Sequence, residues 1–279
     1  MINFNLTDRF VLFYNFTVTI YILVLFSSIQ NWQLLLATHF LIFLLVFFLA
    51  NKDRDEESPT IHWLHIWYPI LLTLWFYSET GLIRHAIFPE DLDPILLRWE
   101  TTLFPQRYYF TVPLSLSILT LELLHGAYFS YYLLLFIPGM IAYKNQEADV
   151  KKYIFIATVS FFISYWIFIL FPSMGPTPLR SEVMPKGVFF IPLMNFLYTL
   201  FDKGGGAFPS SHVAVTIIAG WFGSQFFPKF KHIFFGWGAV IILSTVICCY
   251  HYTIDTITGI ILGFLILIWG QKLYARFNA

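Results

Sequence analysis

Stretches of roughly twenty mostly apolar residues recur along this chain, at about 10–29, 31–50, 62–80, 116–143, 152–171, 210–227, 232–249 and 252–273. As an α-helix, a run of that length crosses the hydrocarbon core of a bilayer. Backbone groups in lipid must be satisfied within their own segment, so such runs admit helices and little else. The sequence therefore predicts an all-α integral membrane protein with about eight transmembrane helices. The run at 116–143 is unusually long and follows a short interfacial segment, 108–115. Residues 186–200 are apolar but short and interrupted by Pro192, which predicts a re-entrant or interfacial piece rather than a further crossing.

Composition agrees. Only 11% of the 279 residues are charged and 58% are hydrophobic, against about 25% charged in soluble domains. Thirty-three Phe, 16 Tyr and 9 Trp suit lipid-facing and interfacial positions. A net charge of zero leaves no nucleic-acid footprint. The N-terminal run has neither a charged leader nor a small-residue cleavage site, so it reads as a retained span. Cys248 and Cys249 are neighbours, hence poor disulfide partners, and no Cys/His zinc spacing occurs.

Eight crossings put the two termini and the loops near 51–61, 144–151 and 228–231 on one side. That side holds Arg9, Lys52, Arg54, Lys144, Lys151, Lys152, Lys229, Lys231, Lys272 and Arg276. The other holds Arg84, Arg98, Arg107, Arg180, Lys186 and Lys203. The positive-inside rule then places both termini in the cytoplasm. The loop at 173–209 and His251 fall together on the opposite, extracytoplasmic face. Between the third and fourth runs, Asp93-Pro94 reads as an N-cap followed by Pro at the first helical position. Leu92, Ile95, Leu96 and Trp99 then share a helical face suited to lying on a membrane.

On that face stands Gly204-Gly205-Gly206-Ala207-Phe208-Pro209-Ser210-Ser211-His212. Glycines let backbone N–H groups approach a ligand. A helix start with Ser donors and the positive end of the macrodipole suits an anion such as phosphate. Alone, the stretch fits a Gly/Pro loop with a Ser N-cap equally well. At the start of the last run, His251 and Asp255 are four apart and share one helix face. A carboxylate that takes the proton of one imidazole nitrogen frees the other as nucleophile or base. Alone, this pair also fits a hydrogen bond that seats the helix.

Together, P-S-S-H at one helix start and H-x-x-x-D at another, after a Pro-rich loop ending in Arg180, resemble the type-2 phosphatidic acid phosphatase superfamily. The pattern is most similar to the branch of inositol-phosphorylceramide and sphingomyelin synthases and their bacterial relatives. The resemblance runs over about 90–279 and is strongest at 203–215 and 250–262. It implies that the C-terminal six helices form the catalytic bundle. The division is then an extra N-terminal pair (1–60) followed by a catalytic domain (61–279). It further implies His251 as the nucleophile that becomes phosphohistidine, Asp255 as its orienting carboxylate and His212 as the proton donor to the leaving oxygen. Ser210, Ser211 and glycine amides, Gly206 among them, would hold the phosphate. Phosphoryl transfer asks for an in-line nucleophile, a proton donor and positive charge on the equatorial oxygens. Neither a metal nor another cofactor is expected.

The chain departs from the family pattern at two cations. Ser173 stands where a Lys is usual, and Thr245 stands where an Arg precedes the nucleophile. Arg180 and Lys203 are the nearest replacements. A phosphomonoester dianion calls for more compensating charge than a phosphodiester monoanion. The expected function is therefore a membrane-embedded lipid phosphotransferase that moves a phospho-headgroup between lipids. A lipid phosphate phosphatase is the alternative, and a non-catalytic carrier of the same fold is the alternative of another class. The partners are membrane lipids, with water or a lipid hydroxyl as acceptor.

Other polar residues read more plainly. Glu122 and His125 share a face of the fourth run, to line a headgroup site or to bond between helices. His62 and His65 share a face without an evident third metal ligand. His39 reads as a satisfied interhelical contact, and Cys249 as small apolar packing. Asp91, Asp93 and Glu100 read as a cap and a solvated face, or as groups that meet a headgroup. Asn5-Leu6-Thr7 matches a glycosylation triplet on the side assigned to the cytoplasm.

Overall fold

The computed structural model describes residues 4–53, 58–201 and 204–277. Its regular structure is helical, apart from an isolated parallel bridge between Ser173 and Gly206. In chain order the helices are α1 (Leu6–Val24), α2 (Trp32–Asp53), α3 (Pro59–Ile83), α4 (Asp93–Leu103), α5 (Tyr108–Leu114), α6 (Ile118–Phe129), α7 (Tyr131–Ala142), α8 (Glu147–Leu170), α9 (Arg180–Val183), α10 (Phe190–Phe201), α11 (Ser211–Phe226), α12 (Lys231–Ile247) and α13 (Thr253–Phe277).

Among the described residues, four helices are long and apolar enough to cross a membrane: α2, α8, α12 with its preceding turn, and α13. The pair α6–α7, bent by 41°, makes a fifth. Length and apolarity thus support fewer crossings than the eight expected. Helices α1 and α3 have the length, at 19 and 25 residues, but bury Asp8, Asn15, His65 and Glu79. These polar groups dilute the apolar signal. Helix α11 stops at 16 residues.

The long run at 116–143 is two half-length helices. At the break, Ser130 Oγ donates to Ala127 O and accepts from Trp237 Nε1, both at 2.6 Å. A side chain that engages the helical carbonyls in this way is a recognised cause of a bend. Helix α10 is the short apolar piece expected at 186–200, with Pro192 in its first turn, where a missing N–H costs nothing.

Helix α8 is the axis of the bundle. In its apolar window 78% of the residues are buried, against 33% in α2 and 39% in α13. It is apolar all round because it has protein on every side. The outer helices expose Phe40, Leu41, Ile261, Phe264 and Trp269, a surface suited to lipid tails. One apolar cluster runs from Leu6 in α1 to Leu267 in α13. Helices α1–α3 are joined by buried polar contacts. His39 Nε2 lies 2.8 Å from Glu79 Oε1, and His39 Nδ1 lies 3.1 Å from Asn15 O.

Close approach of α13 to the start of α11 depends on Gly259. A β-carbon there would stand 2.6 Å from Ser210 O and 3.0 Å from Val213 Cβ. Gly259→Ala is therefore expected to destabilise the protein by about 1–3 kcal/mol. Thermal unfolding in detergent measures this, and an unchanged midpoint would refute the tight α11–α13 seam.

At one end of the bundle, α4 fastens the loops rather than lying free on a surface. Leu92 N donates to Pro172 O at 2.7 Å. Asp93 accepts from Met174 N at 2.7 Å and Gly175 N at 2.8 Å, and Glu100 Oε2 accepts from Ile254 N at 2.9 Å. The N-cap is Leu92, one residue before the expected Asp93. The face expected to lie on the membrane is divided, with Leu96 fully buried and Ile95 and Trp99 exposed. Glu100 is wholly buried, so it belongs to no solvated face.

Candidate active site

The glycine loop is held by Ser173. Ala207 N donates to Ser173 O at 3.1 Å, and Phe208 N to Ser173 Oγ at 3.2 Å. The position that holds a Lys in the family pattern is thus a buried hydroxyl that shapes the loop. Ser210 then caps α11, its side chain accepting from Val213 N at 3.4 Å. Its own N–H donates to Asp255 O at 3.0 Å. That bond ties the two motif-bearing helices together. Ser211 opens α11 and is buried, and Gly206 lines the cleft described below.

His251 sits on the turn between α12 and α13. Thr245 O accepts from both Tyr250 N and His251 N at 3.0 Å, and Thr245 Oγ1 lies 2.9 Å from Thr256 Oγ1. Thr245 therefore closes the turn instead of carrying charge. Cys249 takes φ 57° within it, a left-handed conformation that costs a residue with a β-carbon about 1–2 kcal/mol. It is fully buried, and burial pushes its thiol up to about 12. In the first turn of α13, Asp255 Oδ2 accepts from Tyr252 N at 2.8 Å, half of a capping box.

The partner of the His251 ring differs from the expectation. His251 Nδ1 donates to Ala207 O at 3.0 Å, whereas Asp255 Oδ2 stands 3.7 Å away. A proton on Nδ1 goes to the nearer acceptor, so the loop carbonyl fixes the tautomer and leaves Nε2 unprotonated. Asp255 is fully buried, and its Oδ1 has no hydrogen-bond partner among the described residues. At that distance it stands beside the imidazole without a direct hydrogen bond to it.

His212, in the first turn of α11, comes within 6.2 Å of His251 between ring centroids. It stacks on Tyr128 at 5.2 Å and lies 4.6 Å from the Tyr131 ring. Its ring makes no hydrogen bond to another described residue. The two histidines share a small cleft of about 20 Å³ with Tyr77, Met174, Tyr198, Tyr250 and the stretch Gly204 to Ala207. That is room for a water; a phosphate group needs the walls to part.

Arg180, expected to bind phosphate, is engaged elsewhere. It donates to Cys248 O and to Asn195 Oδ1 (3.0 Å), lies 3.3 Å from His125 Nε2, and stacks 3.9 Å above the Tyr250 ring. It holds the turn ahead of His251 and does not line the cleft. His125 donates from Nδ1 to Leu121 O at 2.7 Å, and Glu122 accepts from Phe189 N and Phe190 N at the start of α10. Both serve contacts between elements. Lys203 lies outside the described residues. Burial raises the Asp93 carboxyl above its ordinary range, opposed by its two backbone donors.

Sequence reasoning passed over Arg84. Its side chain packs against Gly204 and Gly205 and lies 3.3 Å from both Met174 Sδ and Asp91 Oδ1. At the other end of the bundle, His62 and His65 find partners that spacing did not reveal. His62 contacts Asp53 at 2.7 Å and Glu147 at 3.0 Å, and His65 contacts Asp53 at 2.6 Å and Asp8 at 3.1 Å. Among the described residues no group has the arrangement of a metal site.

Comparison with curated proteins and with solved structures gives no match. A family model for the PAP2 superfamily matches residues 96–269, more than half of the chain and a range that includes His212, His251 and Asp255. An all-helical bundle with several membrane-length helices and this match place the chain in one family: the protein belongs to the PAP2 superfamily.

Proposed function

We propose that the protein is a membrane-embedded phosphotransferase that moves a phospho-headgroup from one lipid to another through His251. The observation that carries this reading is the meeting of two histidines from separate helices on one cleft. One has its Nε2 freed by a carbonyl on Nδ1, and the ring of the other makes no hydrogen bond to another described residue. His251 Nε2 attacks phosphorus, and the bond to the leaving oxygen breaks as His212 delivers a proton to it. The acceptor hydroxyl then attacks the phosphohistidine, giving its proton back to His212 while the N–P bond breaks. Gly206 and neighbouring amides stabilise the charge on the phosphoryl oxygens, while Ser210 and Ser211 set the start of α11 behind the cleft. Asp255 favours the positive charge that the His251 ring gains on attack.

The sparse positive charge around the cleft supports a phosphodiester, which brings one negative charge where a monoester brings two. Ser173 and Thr245 are neutral, and Arg180 is engaged in the turn. The Lys and Arg distribution supports an extracytoplasmic catalytic end with both termini in the cytoplasm. It is compatible with an extra pair of helices (1–60) on a catalytic unit (61–279).

The test supplies the purified protein with radiolabelled phosphodiester and phosphomonoester lipids, together with a lipid alcohol. A labelled lipid product from the diester donor is expected. Free phosphate from monoesters alone would make water the acceptor and the protein a phosphatase, and no turnover at all would favour a carrier.

A further inference from the structure

We propose that Arg84, just past the end of α3 and outside the residues matched by the family model, supplies the charge that the catalytic loop lacks. It binds the substrate phosphate beside the backbone of Gly205 and Gly206. This assignment rests on the phosphate-transfer reading above and names the binding group of the same site.

Arg84 follows the last residue of α3 and its side chain is about nine-tenths buried, at 10% exposure. The loop is shaped to receive it. Gly204 and Gly205 have φ of 77° and 93°, in the region that disfavours side chains. A β-carbon at Gly205 would overlap Arg84 Cδ and Nη1 and lie 2.9 Å from Nε, and one at Gly204 would lie 3.2 Å from Nη1. A side chain at either position would have to displace the guanidinium from this backbone. Gly204, Gly205 and Met174 all touch Arg84, and all line the cleft that holds His212 and His251.

The guanidinium is underused where it stands. Nη1 meets a thioether sulfur, a weak acceptor, and Asp91 Oδ1 at 3.3 Å. That same carboxylate oxygen also takes His85 Nε2 at 3.1 Å. Arg84 Nε is buried without any partner among the described residues. Guanidinium stays charged in proteins, and a buried charge with unmet donors is costly unless something pairs with it. A phosphate oxygen entering beside Gly204 and Gly205 meets that need. Its planar fork of donors matches two phosphate oxygens at once.

The experiment measures inorganic phosphate binding to the full-length protein in detergent by calorimetry, alongside KM and kcat for a phosphodiester lipid. Arg84→Gln is expected to weaken phosphate binding about ten- to a hundredfold, as loss of a charge-assisted pair does, and to raise KM more than it lowers kcat. Arg84→Lys is expected to fold like the parent and to recover part of the affinity. Asp91→Asn removes the carboxylate charge that faces Arg84 and His85 and leaves the guanidinium in place, and is expected to keep or tighten phosphate binding. If Arg84→Gln and Arg84→Lys bind phosphate as the parent does, or if Asp91→Asn loses as much affinity as they do, Arg84 is merely a structural contact. Should Arg84→Gln fail to fold, the Lys and Asn variants decide. Phosphate binding needs no turnover, so the two readings separate. Arg84-dependent binding in a protein that transfers no phospho-group would overturn the transferase reading alone, and transfer with Arg84-independent binding would overturn this one alone.

Discussion

Replacing His251 by alanine is expected to lower phospho-group transfer by about 10⁴-fold or more, the scale seen when a covalent nucleophile is removed. The ring is built to expose a single nitrogen. Nδ1 is spent on Ala207 O at 3.0 Å, so Nε2 is the atom able to attack. The loss should fall on chemistry, because among the described residues that contact is the ring's one close hydrogen bond and α13 keeps its caps at Tyr252 and Ile254. Rapid quenching with a donor labelled at phosphorus reads the result directly. The parent should trap an acid-labile, alkali-stable phosphoprotein that is missing from His251→Ala. A phosphoprotein of equal yield in the variant would place the nucleophile elsewhere.

His212→Phe is expected to slow transfer by about 10²–10⁴-fold, the range for loss of a general acid. Phenylalanine is the informative choice because the native ring is held by aromatic faces. It stacks on Tyr128 and lies against Tyr131, so a phenyl ring keeps the packing and removes the proton. The defect should depend on the leaving group. With a lipid alcohol, which departs poorly as an alkoxide, the whole loss is expected. With a nitrophenyl phosphodiester, whose phenolate leaves unaided, most of the first step should return. The phosphohistidine should then accumulate, since the second step still lacks a base. An equal loss with both leaving groups would show that His212 is not the acid.

Much of the membrane character was legible in the chain, and so was the meeting of its two histidines. Apolar runs located the long helices within a few residues, because lipid forces the backbone to satisfy itself locally. What apolar runs do not distinguish is a crossing from a bent pair or a buried polar helix. The run at 116–143 divides at Ser130 because a side chain engages the carbonyls there and an indole comes from α12, and neither event leaves a mark in hydropathy. The surface reading of α4 failed for a similar reason. Glu100 and Asp93 are ordinary polar residues in sequence, yet each satisfies backbone donors of a distant segment, as buried polar groups must.

At the site, P-S-S-H and H-x-x-x-D single out the side chains proposed to carry chemistry. Each motif fixes a helix start, and a helix start dictates where its first-turn residues project. The sequence by itself therefore determined His212, His251, Asp255 and the Ser210 cap, together with an anion-friendly loop before them. The tertiary structure decided who serves them. It gave the His251 proton to Ala207 O instead of Asp255, drew Arg180 into the Cys248 turn, made Ser173 and Thr245 loop-holding groups, and brought Arg84 onto Gly204 and Gly205. A motif records local geometry over a handful of residues. The partners of a buried proton or charge come from wherever the chain returns, and that is set by packing alone.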